Sequence, residues 1–429
     1  MNRSEPVPSS AGYVIIGSGL SGALTAFELL KGGVRPEEVI ILEAREAVSG
    51  ASGRNAGHVR PDAFRGFRAY AALHGPDQAL KIVANEKLVL ERVDDFVRRF
   101  DVPCDFNHST TFDVCLTREF AEYESRSFQE YRTAGGDVSQ VQYYDGEEAK
   151  EKTGVKDTIA AYEWPAGSIH PAKLTQWLLS DVLEKGVRMW THCPVMSVDQ
   201  GQASNWNVMT PRGLVSSHIV IHCTNAYAAA LVPQLSRFIT PNRAQAHSIV
   251  PTERFSGLNA LNSTMSLRYS LRHFYSLIQR QEDGTLILGV SRTNPDLSQE
   301  TYASRITFDD SSFNQEIVGD ALKRFPIIFP DSENNPQRHG EGLDHAWTGI
   351  IGMTPDSVPC VGAIEDSPGQ YICAGFNGHG MARIFTCAPG LARLILGGSW
   401  AETGLPECFQ YTADRLSRAY QKEGTAKIW

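Results

Sequence analysis

The sequence predicts an α/β fold, and three stretches of its 429 residues support that prediction. Residues 13–60 read as strand, glycine-rich turn, helix and second strand, which is the pattern of a βαβ unit. Residues 151–240 return to mixed helix and strand patterns, and residues 241–340 alternate in the manner of antiparallel strands. At about 150 residues per domain, the chain is long enough for two or three domains.

The composition excludes several classes of protein. Hydrophobic residues make up 42% and charged residues 21% of the chain, which excludes a disordered tail, a collagen and a coiled coil. A net charge of -9 argues against nucleic acid or an anionic membrane as the main partner. The cysteines form no C-x-x-C pair and no zinc-like spacing, so we expect a reducing compartment and no metal. Because no stretch has the pattern of a membrane span or a secretory signal, a cytoplasmic protein is expected.

The first elements have clear sequence limits. Tyr13–Ile16 is a short apolar run, and apolar residues at helical spacing follow from Leu20 to Lys31. Gly32 and Gly33 end this helix, because glycine adopts the left-handed conformation of a helix cap at little cost. Val39–Glu43 is the next strand.

Further helices and strands are predicted from periodicity along the rest of the chain, with a hairpin turn at Asp283-Gly284. The predicted helices are Gln78–Phe100, His170–Lys185 and Met381–Leu396, and the predicted strands are Val195–Val198, Trp206–Thr210, His218–Cys223, Phe274–Gln279, Thr285–Val290 and Tyr371–Ala374.

The strongest local signal is the run from Gly17 to Gly22, which lies between a strand and a helix as a dinucleotide-binding loop requires. Gly17 allows the tight turn, Gly19 lets the backbone approach a pyrophosphate, and Gly22 lets helix and strand pack closely. The helix N-terminus offers free N–H groups to phosphate. Glu43, at the end of the second strand, can accept hydrogen bonds from both ribose hydroxyls and would repel a 2′-phosphate. The loop therefore favours FAD or NAD over NADP.

A second run, residues 50–58, distinguishes FAD from NAD. Its small residues would let the backbone follow an extended diphosphate and ribityl chain, and Ser52, Arg54 and Asn55 supply hydrogen-bond donors. An NAD dehydrogenase usually continues into a helix here. FAD is therefore the expected cofactor.

At this point the chain resembles the D-amino-acid oxidase, glycine oxidase and sarcosine oxidase superfamily of FAD enzymes, especially its γ-glutamylputrescine-oxidase-like branch. Residues 61–150 and 246–340 match the family only loosely. The matching motifs, in the family's order, are YVIIGSGLSG at 13–22, ILEA at 41–44, GASGRNAGH at 50–58, IHPAKL at 169–174, CTNAY at 223–227, PNRAQ at 241–245, WTGIIGMTPDSVPCVG at 347–362 and YICAGFNGHGM at 371–381.

The resemblance implies a Rossmann-like FAD-binding domain interleaved with an antiparallel-sheet, α+β substrate domain. The first is expected at residues 1–60, 150–240 and 341–429, and the second at 61–149 and 241–340, with the isoalloxazine ring at their junction. The implied reaction oxidises the C–N bond of an amine or amino acid by hydride transfer to flavin N5, and water hydrolyses the imine. Oxygen or another acceptor then reoxidises the flavin, and an oxidase is favoured over a dehydrogenase.

The resemblance also implies a set of cofactor-binding residues. The turn at 377–381 precedes the last predicted helix, whose N-terminus would stabilise negative charge on the reduced flavin. We expect noncovalent FAD, because residues 347–353 hold no cysteine and Arg54 aligns with the linking histidine of some relatives; His58 leaves a covalent link open. The expected set is Gly17, Ser18, Gly19, Leu20, Ser21, Gly22, Glu43, Ala44, Arg45, Ser52, Arg54, Asn55, Ala56, Gly57, Val195, Thr224, Gly378, His379, Gly380 and Met381.

Arg60, His58 and His379 are the candidate catalytic residues. Arg60 lies near the position of a carboxylate-binding arginine in sarcosine-oxidase relatives, and a guanidinium binds a carboxylate through two parallel hydrogen bonds. The alternative for Arg60 is a surface arginine. Arg383 is expected on a helix surface. A carboxylate-binding role for Arg60 implies a substrate with an acid group, such as an amino acid. A longer amine is the alternative substrate.

The chain has no lysine between Lys185 and Lys323, although sarcosine-oxidase relatives carry an oxygen-activating lysine on a sheet strand. Arg272, His273 or Arg280 is expected to supply positive charge instead, and a dehydrogenase remains open. Two further hypotheses remain. The first is an ordinary NAD(P) enzyme, which would leave residues 50–58 and 376–381 unexplained. The second is a flavin-binding interaction protein without activity.

Overall fold

A computed structural model of the chain describes residues 5–202, 204–290, 294–330 and 338–421. These residues form both β-strands and α-helices. The strands are β1 (Ser10–Ile16), β2 (Val39–Leu42), β3 (His58–Val59), β4 (Asn107–Cys115), β5 (Gln142–Asp145), β6 (Ala160–Ser168), β7 (Arg188–Trp190), β8 (Ser197–Gln200), β9 (Trp206–Thr210), β10 (Gly213–His222), β11 (Thr240–Val250), β12 (Thr264–Arg268), β13 (Phe274–Gln279), β14 (Leu286–Val290), β15 (Gly342–Met353), β16 (Cys360–Ala363) and β17 (Gln370–Ala374). The helices are α1 (Leu20–Lys31), α2 (Ala51–Arg54), α3 (Phe67–His74), α4 (Pro76–Phe100), α5 (Arg118–Thr133), α6 (Gly146–Thr153), α7 (Pro171–Glu184), α8 (Gln299–Ala303), α9 (Gln315–Ile328), α10 (Ile384–Ile395) and α11 (Ala413–Gln421).

The chain divides into two units, each assembled from separate stretches. Among the described residues, unit 1 comprises 5–54, 171–242 and 351–421, and unit 2 comprises 55–170 and 243–350. Residues 55–60, 150–170 and 341–350, which the sequence analysis assigned to the FAD-binding domain, cluster in unit 2. The reason for the first two is strand pairing, since β3, β4 and β5 all pair with β6. Residues 1–4 and 422–429 of the predicted domain lie outside the described residues.

Unit 1 is built on a largely parallel sheet with strand order β16-β17-β10-β1-β2-β7. β17, β10, β1, β2 and β7 run parallel, and β16 is antiparallel to β17. β9 pairs antiparallel with β10, and β8 pairs antiparallel with β9. All four residues of β2 are buried, as expected for a parallel strand covered on both faces. The helices α7 and α10 pack against α1. This arrangement confirms the predicted α/β class.

Unit 2 contains a mixed, mainly antiparallel sheet with strand order β15-β11-β14-β13-β12-β4-β6-β3. The hairpin predicted around Asp283-Gly284 is confirmed, because β13 and β14 pair antiparallel and Gly284 has a φ of 74°. The sequence analysis expected an antiparallel sheet. The sheet departs from that expectation at one place, where β12 and β4 pair parallel.

Side-chain alternation gives this sheet two different buried faces. Phe112 and Val114 of β4 point into an apolar cluster that also contains Met265 and Leu267 of β12. Residues between them, which point to the opposite face, are polar or charged and nevertheless buried. They are Thr111 and Asp113 of β4 and Thr264, Ser266 and Arg268 of β12.

Candidate active site

The glycine-rich turn between β1 and α1 is closely packed at its glycine positions. Gly17 has a φ of 107°, and a Cβ there would lie 2.7 Å from the Cys223 carbonyl oxygen. A Cβ on Gly22 would lie 2.0 Å from the Gly17 carbonyl oxygen. A Cβ on Gly19 would lie 3.0 Å from the Ser52 hydroxyl. Backbone packing alone therefore requires glycine at Gly17 and Gly22, and the turn exposes main chain where a ligand can approach closely.

The N-terminus of α1 carries the features of an anion site. Gly19 precedes the helix without a side-chain cap, and the first turn contains no acidic residue. The backbone N–H of Leu20 donates to the Ser52 hydroxyl over 2.8 Å. Unused N–H groups and the helix dipole favour a phosphate here, and Ser52 adds a hydroxyl beside them.

Glu43 is held in place just beyond the end of β2. Its Oε2 atom accepts hydrogen bonds from the Ser18 backbone N–H at 2.9 Å and the Ser18 hydroxyl at 2.7 Å. Its Oε1 atom accepts from the Arg45 backbone N–H at 2.9 Å. A carboxylate offers about four lone pairs and three are used here, so Glu43 retains acceptor capacity for about one ribose hydroxyl.

The small-residue run that follows includes a single helical turn. Residues 51–54 form the single-turn helix α2, and a Cβ on Gly53 would lie 2.2 Å from the Val48 carbonyl oxygen. Arg54, an expected donor to the cofactor, directs its Nε atom to the Ser49 carbonyl oxygen over 2.7 Å. The Asn55 side chain accepts from the Gly57 backbone N–H over 3.0 Å, which fixes the turn into β3.

Two other expected cofactor residues differ in character. The Thr224 hydroxyl, directly after β10, is buried and has no hydrogen-bond partner among the described residues. A buried hydroxyl of this kind needs a partner, so Thr224 fits a bound ligand. The Val195 side chain packs against the apolar cluster around β1, β2 and β10.

The turn after β17 is fixed by two asparagines in the left-handed conformation, with φ of 46° at Asn225 and 56° at Asn377. The Asn225 Oδ1 atom accepts from the backbone N–H groups of Gly375 at 3.0 Å and Phe376 at 3.2 Å. The Asn377 Oδ1 atom accepts from the Thr354 N–H at 2.8 Å. The Asn377 Nδ2 atom donates to the Thr354 hydroxyl at 2.9 Å and the Gly375 carbonyl at 2.7 Å.

The sequence analysis matched the motifs that contain both asparagines but gave neither of them this role. The signal was available, since asparagine is the non-glycine residue that best tolerates a positive φ.

The last long helix begins later than the sequence predicted. α10 starts at Ile384, and Gly380–Ala382 form a separate 3-10 turn ahead of it. The break occurs at Arg383, whose φ of -138° is not helical. His379 is half-buried ahead of this turn, so His379 and Gly380 do not sit on the first turn of the α-helix.

The prediction that Arg383 lies on a helix surface is wrong. Its side chain is fully buried, and its Nη1 atom donates to the Ser357 carbonyl oxygen over 3.1 Å. The guanidinium also lies over the Phe409 ring, 5.7 Å from the ring centroid. Arg383 therefore binds backbone within unit 1.

In unit 2, His58 of β3 is an uncharged histidine. Both ring nitrogens are buried and have no hydrogen-bond partner among the described residues. Burial, aided by the positive charge of Arg60, lowers the pKa of His58 to about 3. At neutral pH His58 is therefore a neutral imidazole and a weak base, with two polar atoms that a ligand can satisfy.

Arg60, two residues further on, is held by three neighbours. Its Nε atom donates to the Thr111 hydroxyl over 2.8 Å, and its Nη2 atom donates to Asp113 over 2.7 Å. Its guanidinium lies over the Trp164 ring, 4.9 Å from the ring centroid. The side chain is 12% exposed, and its Nη1 atom has no hydrogen-bond partner among the described residues.

Asp113 is the centre of a buried charged cluster that sequence reasoning missed. Besides Arg60, it accepts hydrogen bonds from Arg65 at 2.9 Å and Arg268 at 2.8 Å, and Arg65 also pairs with Asp62 at 3.3 Å. Burial alone would raise the pKa of Asp113, but the three guanidinium groups outweigh it and hold that pKa well below its usual range. The available signal was an acidic residue between two apolar ones, Phe112 and Val114.

The expected replacements for the missing lysine do not lie together. Arg272 and His273 lie in the turn before β13, whereas Arg280 follows its far end and pairs with Asp283 at 3.7 Å. Burial and the positive charge of Arg324 together lower the pKa of His273 to about 4, against the opposing effect of Asp320. His273 is therefore uncharged at neutral pH, which disfavours it among the three alternatives for the positive charge.

Metal sites, disulfides and membrane helices were also sought in the described residues. No group of three or more His, Cys, Asp or Glu side chains there is arranged to hold a metal ion. All eight cysteines are free thiols, and burial raises the pKa of Cys223 and Cys360 to about 12. No helix in this part of the chain combines the length and hydropathy needed to cross a membrane.

Comparison with known proteins identifies similar chains over almost the full length. The probable oxidoreductase OrdL of Haemophilus influenzae is 26% identical over 393 residues, covering 90% of this chain and 83% of that protein. The gamma-glutamylputrescine oxidoreductase of Escherichia coli is 24% identical over 386 residues, covering 89% and 82%. The crystal structure of L-proline dehydrogenase from P. horikoshii superposes with a TM-score of 0.73 at 22% identity, covering 94% and 97%, which shows a shared fold.

Residues 13–396 match the family described as DAO, FAD dependent oxidoreductase. This stretch contains the glycine-rich turn, Glu43, the run at 50–58 and the turn at 375–381, so the match confirms the resemblance and the expected FAD. The chain belongs to the DAO family of FAD dependent oxidoreductases.

Proposed function

We propose that the chain oxidises the C–N bond of an amine that also carries a carboxylate, such as an amino acid or an N-substituted amino acid. The similar proteins named gamma-glutamylputrescine oxidoreductase and L-proline dehydrogenase have, by their names, substrates with both groups. The observation that carries the proposal for this chain is the geometry of Arg60.

Arg60 is prepared for an anion before any substrate arrives. Thr111 and Asp113 fix two of its nitrogens, and the face of Trp164 supports the guanidinium plane. The N–H groups of its Nη1 atom are available to a substrate carboxylate, and the side chain is 12% exposed. A guanidinium immobilised in this way loses little entropy when it binds a carboxylate, which favours affinity.

The residues of unit 1 fit FAD, because the backbone leaves no space for a Cβ at Gly17 or Gly22 and Glu43 is oriented at the end of the adjoining strand. In this proposal, those residues hold the dinucleotide part and Thr224 contributes its unpaired hydroxyl. FAD would supply the hydride acceptor for the carbon next to the substrate nitrogen. Loss of hydride from a neutral amine leaves an iminium ion, which water hydrolyses to a carbonyl compound and an ammonium ion.

His58 and Arg60 would also select the protonation state of the substrate. An ammonium group near the positive charge of Arg60 is disfavoured, and uncharged His58 offers no counter-ion to it. A neutral amine is therefore favoured in the site, and only the neutral amine has the nitrogen lone pair that supports loss of hydride. His58 acts here as a hydrogen-bond partner rather than a strong base. His379 remains a further candidate contact.

We propose noncovalent attachment, since residues 347–353 contain no cysteine and Arg54 occupies the expected position of a linking histidine. Acid precipitation of the purified protein should leave the yellow colour in the supernatant. Colour retained in the pellet would instead indicate a covalent link, with His58 as the residue to substitute.

Oxygen is the proposed electron acceptor, and a different acceptor is the second candidate. The second gains support from β13 and its ends, where His273 is uncharged and Arg280 is paired with Asp283. Hydrogen peroxide formed per substrate consumed separates the two: one equivalent indicates an oxidase, and a trace with fast turnover on an artificial quinone indicates a dehydrogenase.

Substrate-induced bleaching of the flavin under anaerobic conditions tests the proposal. Amino acids and N-methyl amino acids should bleach it, while the same amines without a carboxylate should react poorly. Arg60→Gln should raise KM about tenfold to a hundredfold for the acid substrates, because a charge-assisted hydrogen bond is worth about 1.5–3 kcal/mol. Arg60→Lys should recover only part of this, since the planar fork is lost.

Arg126→Gln, an exposed arginine on α5, is the matched control and should leave KM unchanged. Equal KM values for wild type and Arg60→Gln would exclude Arg60 from substrate binding. A protein that stays yellow with every amine tested would favour the inactive flavin-binding alternative.

A further inference from the structure

Glu124 is a buried acid that none of the preceding roles explains. It lies on the inner face of α5 with Phe120, Ser127 and Tyr131. Its side chain is 0% exposed, and no N–H or O–H group of the described residues donates to either carboxyl oxygen. An ionised carboxylate buried without donors is strongly destabilising, so this position favours the neutral acid.

Glu124 faces the charged cluster around Asp113, because its neighbours one turn away on α5 contact two arginines of that cluster. The Arg268 guanidinium lies 5.8 Å from the centroid of the Phe120 ring, and the Ser127 hydroxyl donates to the Arg65 carbonyl oxygen over 2.9 Å. A hydrogen bond between the two carboxyl groups would raise the pKa of Glu124 and lower that of Asp113. Two carboxyl groups can share a hydrogen bond only when one of them carries a proton. Asp113 already accepts from Arg60, Arg65 and Arg268, and these three cations stabilise its ionised form. The shared proton therefore belongs on Glu124.

We propose that Glu124 is a protonated carboxylic acid whose O–H donates to Asp113, and that it thereby acts as a positioning residue for Arg60. The hydrogen bond orients the Asp113 carboxylate from the side opposite its arginines. Asp113 in turn holds the Arg60 guanidinium at 2.7 Å.

The surroundings of Glu124 support this assignment. Burial raises the pKa of Glu124 well above its usual range, and the negative charge of Asp113 raises it further, against the opposing effects of Arg65 and Arg268. The other titratable groups near it are neutral at physiological pH, because burial raises the pKa of each of them above its ordinary value. They are Cys115, Tyr123 and Tyr162.

The proton also determines the charge available to a substrate. Three arginines surround Asp113, and they form ion pairs with Asp113 and Asp62. A negative charge on Glu124 would reduce the positive charge of this cluster. Of the three arginines, Arg60 is 12% exposed and the other two are 1% exposed, so the excess charge is accessible at Arg60. This consequence rests on the proposed function, whereas the proton on Glu124 does not.

Glu124→Gln is the informative variant, because the amide N–H can replace the acid O–H as donor to Asp113 without needing a proton. An unfolded glutamate loses its proton near pH 4.3. Above that pH, folding of the wild type must retain a proton that the unfolded chain has released. The folding equilibrium constant of Glu124→Gln should therefore gain about tenfold per pH unit relative to wild type, until the native acid itself titrates.

Urea unfolding of the FAD-loaded proteins between about pH 5 and pH 8 measures this difference. Glu122→Gln, an exposed glutamate on the same helix, is the control and should run parallel to wild type. Infrared spectra provide a second readout: the carbonyl stretch of a protonated carboxyl group should be present in wild type and Glu122→Gln and absent in Glu124→Gln. Parallel pH curves for Glu124→Gln, or no such band, would overturn the protonated state.

The positioning role has its own readout. Glu124→Gln should keep the wild-type KM for an acid substrate, whereas Glu124→Leu should raise KM at least tenfold with a smaller effect on kcat, because Arg60 acts in binding. Equal KM values for the Gln and Leu variants would overturn the link to Arg60. The stability and infrared measurements need no substrate, so they distinguish that failure from a failure of the proposed function.

Discussion

At the scale of single residues, Gly22 gives the sharpest prediction about the cofactor site. Gly22→Ala places a Cβ 2.0 Å from the Gly17 carbonyl oxygen, so the turn must move away from α1. Overpacking of this kind costs about 1–3 kcal/mol, and we expect FAD affinity to fall about tenfold to a hundredfold. The ratio of flavin absorbance to protein absorbance after purification measures the loss.

Gly319→Ala on α9 is the control for that variant. No atom lies within 4 Å of a Cβ at Gly319, and its backbone does not adopt a positive φ. We expect normal FAD content and a gain of about 0.5–1 kcal/mol in stability, because alanine is the better helix former. Normal FAD content in Gly22→Ala as well would contradict the packing argument.

Single residues also show where sequence reasoning ends. The constraint at Gly17 and Gly22 was predictable, since the lack of a Cβ is visible in the sequence and its effect is local. The environment of Arg60 was not, because Asp113 lies on a strand 53 residues further along the chain. Arg383 was misjudged for the same reason: the sequence does not reveal that a carbonyl at Ser357 receives its guanidinium.

At the scale of elements, the turn after β17 depends on Asn225. Asn225→Ala removes the acceptor for the N–H groups of Gly375 and Phe376 and places alanine at a φ of 46°. We expect a loss of about 2–4 kcal/mol, composed of two unsatisfied donors and the left-handed backbone. Thermal unfolding and FAD content measure it.

Two further substitutions separate the contributions at Asn225. Asn225→Gly keeps the backbone conformation but not the acceptor, so it should be intermediate. Asn225→Asp keeps both and should remain closest to wild type, since aspartate tolerates the left-handed region and accepts both hydrogen bonds. If Asn225→Asp were as unstable as Asn225→Ala, the side-chain acceptor would not be what fixes this turn.

Local signals predicted the elements they govern. The limits of α1 and the position of the β13–β14 hairpin followed from apolar spacing, glycine and the Asp-Gly pair. The two-residue strand β3 could not be predicted, because its only reason to form is pairing with β6. The late start of α10 depends on Arg383 turning inward, which is a tertiary effect.

At the scale of the whole molecule, each unit is assembled from stretches that are distant in the sequence. The parallel sheet of unit 1 places β17 beside β10 and β10 beside β1, although those strands are far apart along the chain. The sequence indicated the α/β class through its βαβ pattern. The limits between units depend on which strands pair, for example β6 with β4, and pairing is not encoded locally.

Acid stability is also a property of the whole molecule, and buried uncharged histidines decrease it at low pH. Burial lowers the pKa of His58 to about 3, and that of His222 and His273 to about 4. These pKa values lie below the value of about 6.5 for a histidine in the unfolded chain. At a pH between the native and unfolded pKa values, these histidines are protonated in the unfolded chain but not in the native state. Stability from this source is complete above about pH 6.5 and falls as the pH decreases towards 4.

His222 allows the effect to be measured for one group. It is fully buried in β10, where its Nε2 atom is 2.7 Å from the Gln370 Oε1 atom, and it has no exposed surface from which to take up a proton. Between pH 7 and pH 5 the wild type should lose about 2 kcal/mol more than His222→Gln, as judged by urea unfolding. His218→Gln, an exposed histidine on the same strand, should follow the wild type. If His222→Gln lost as much stability as the wild type over this range, His222 would have to be protonated in the native state, and the buried end of β10 would need a counter-ion for it.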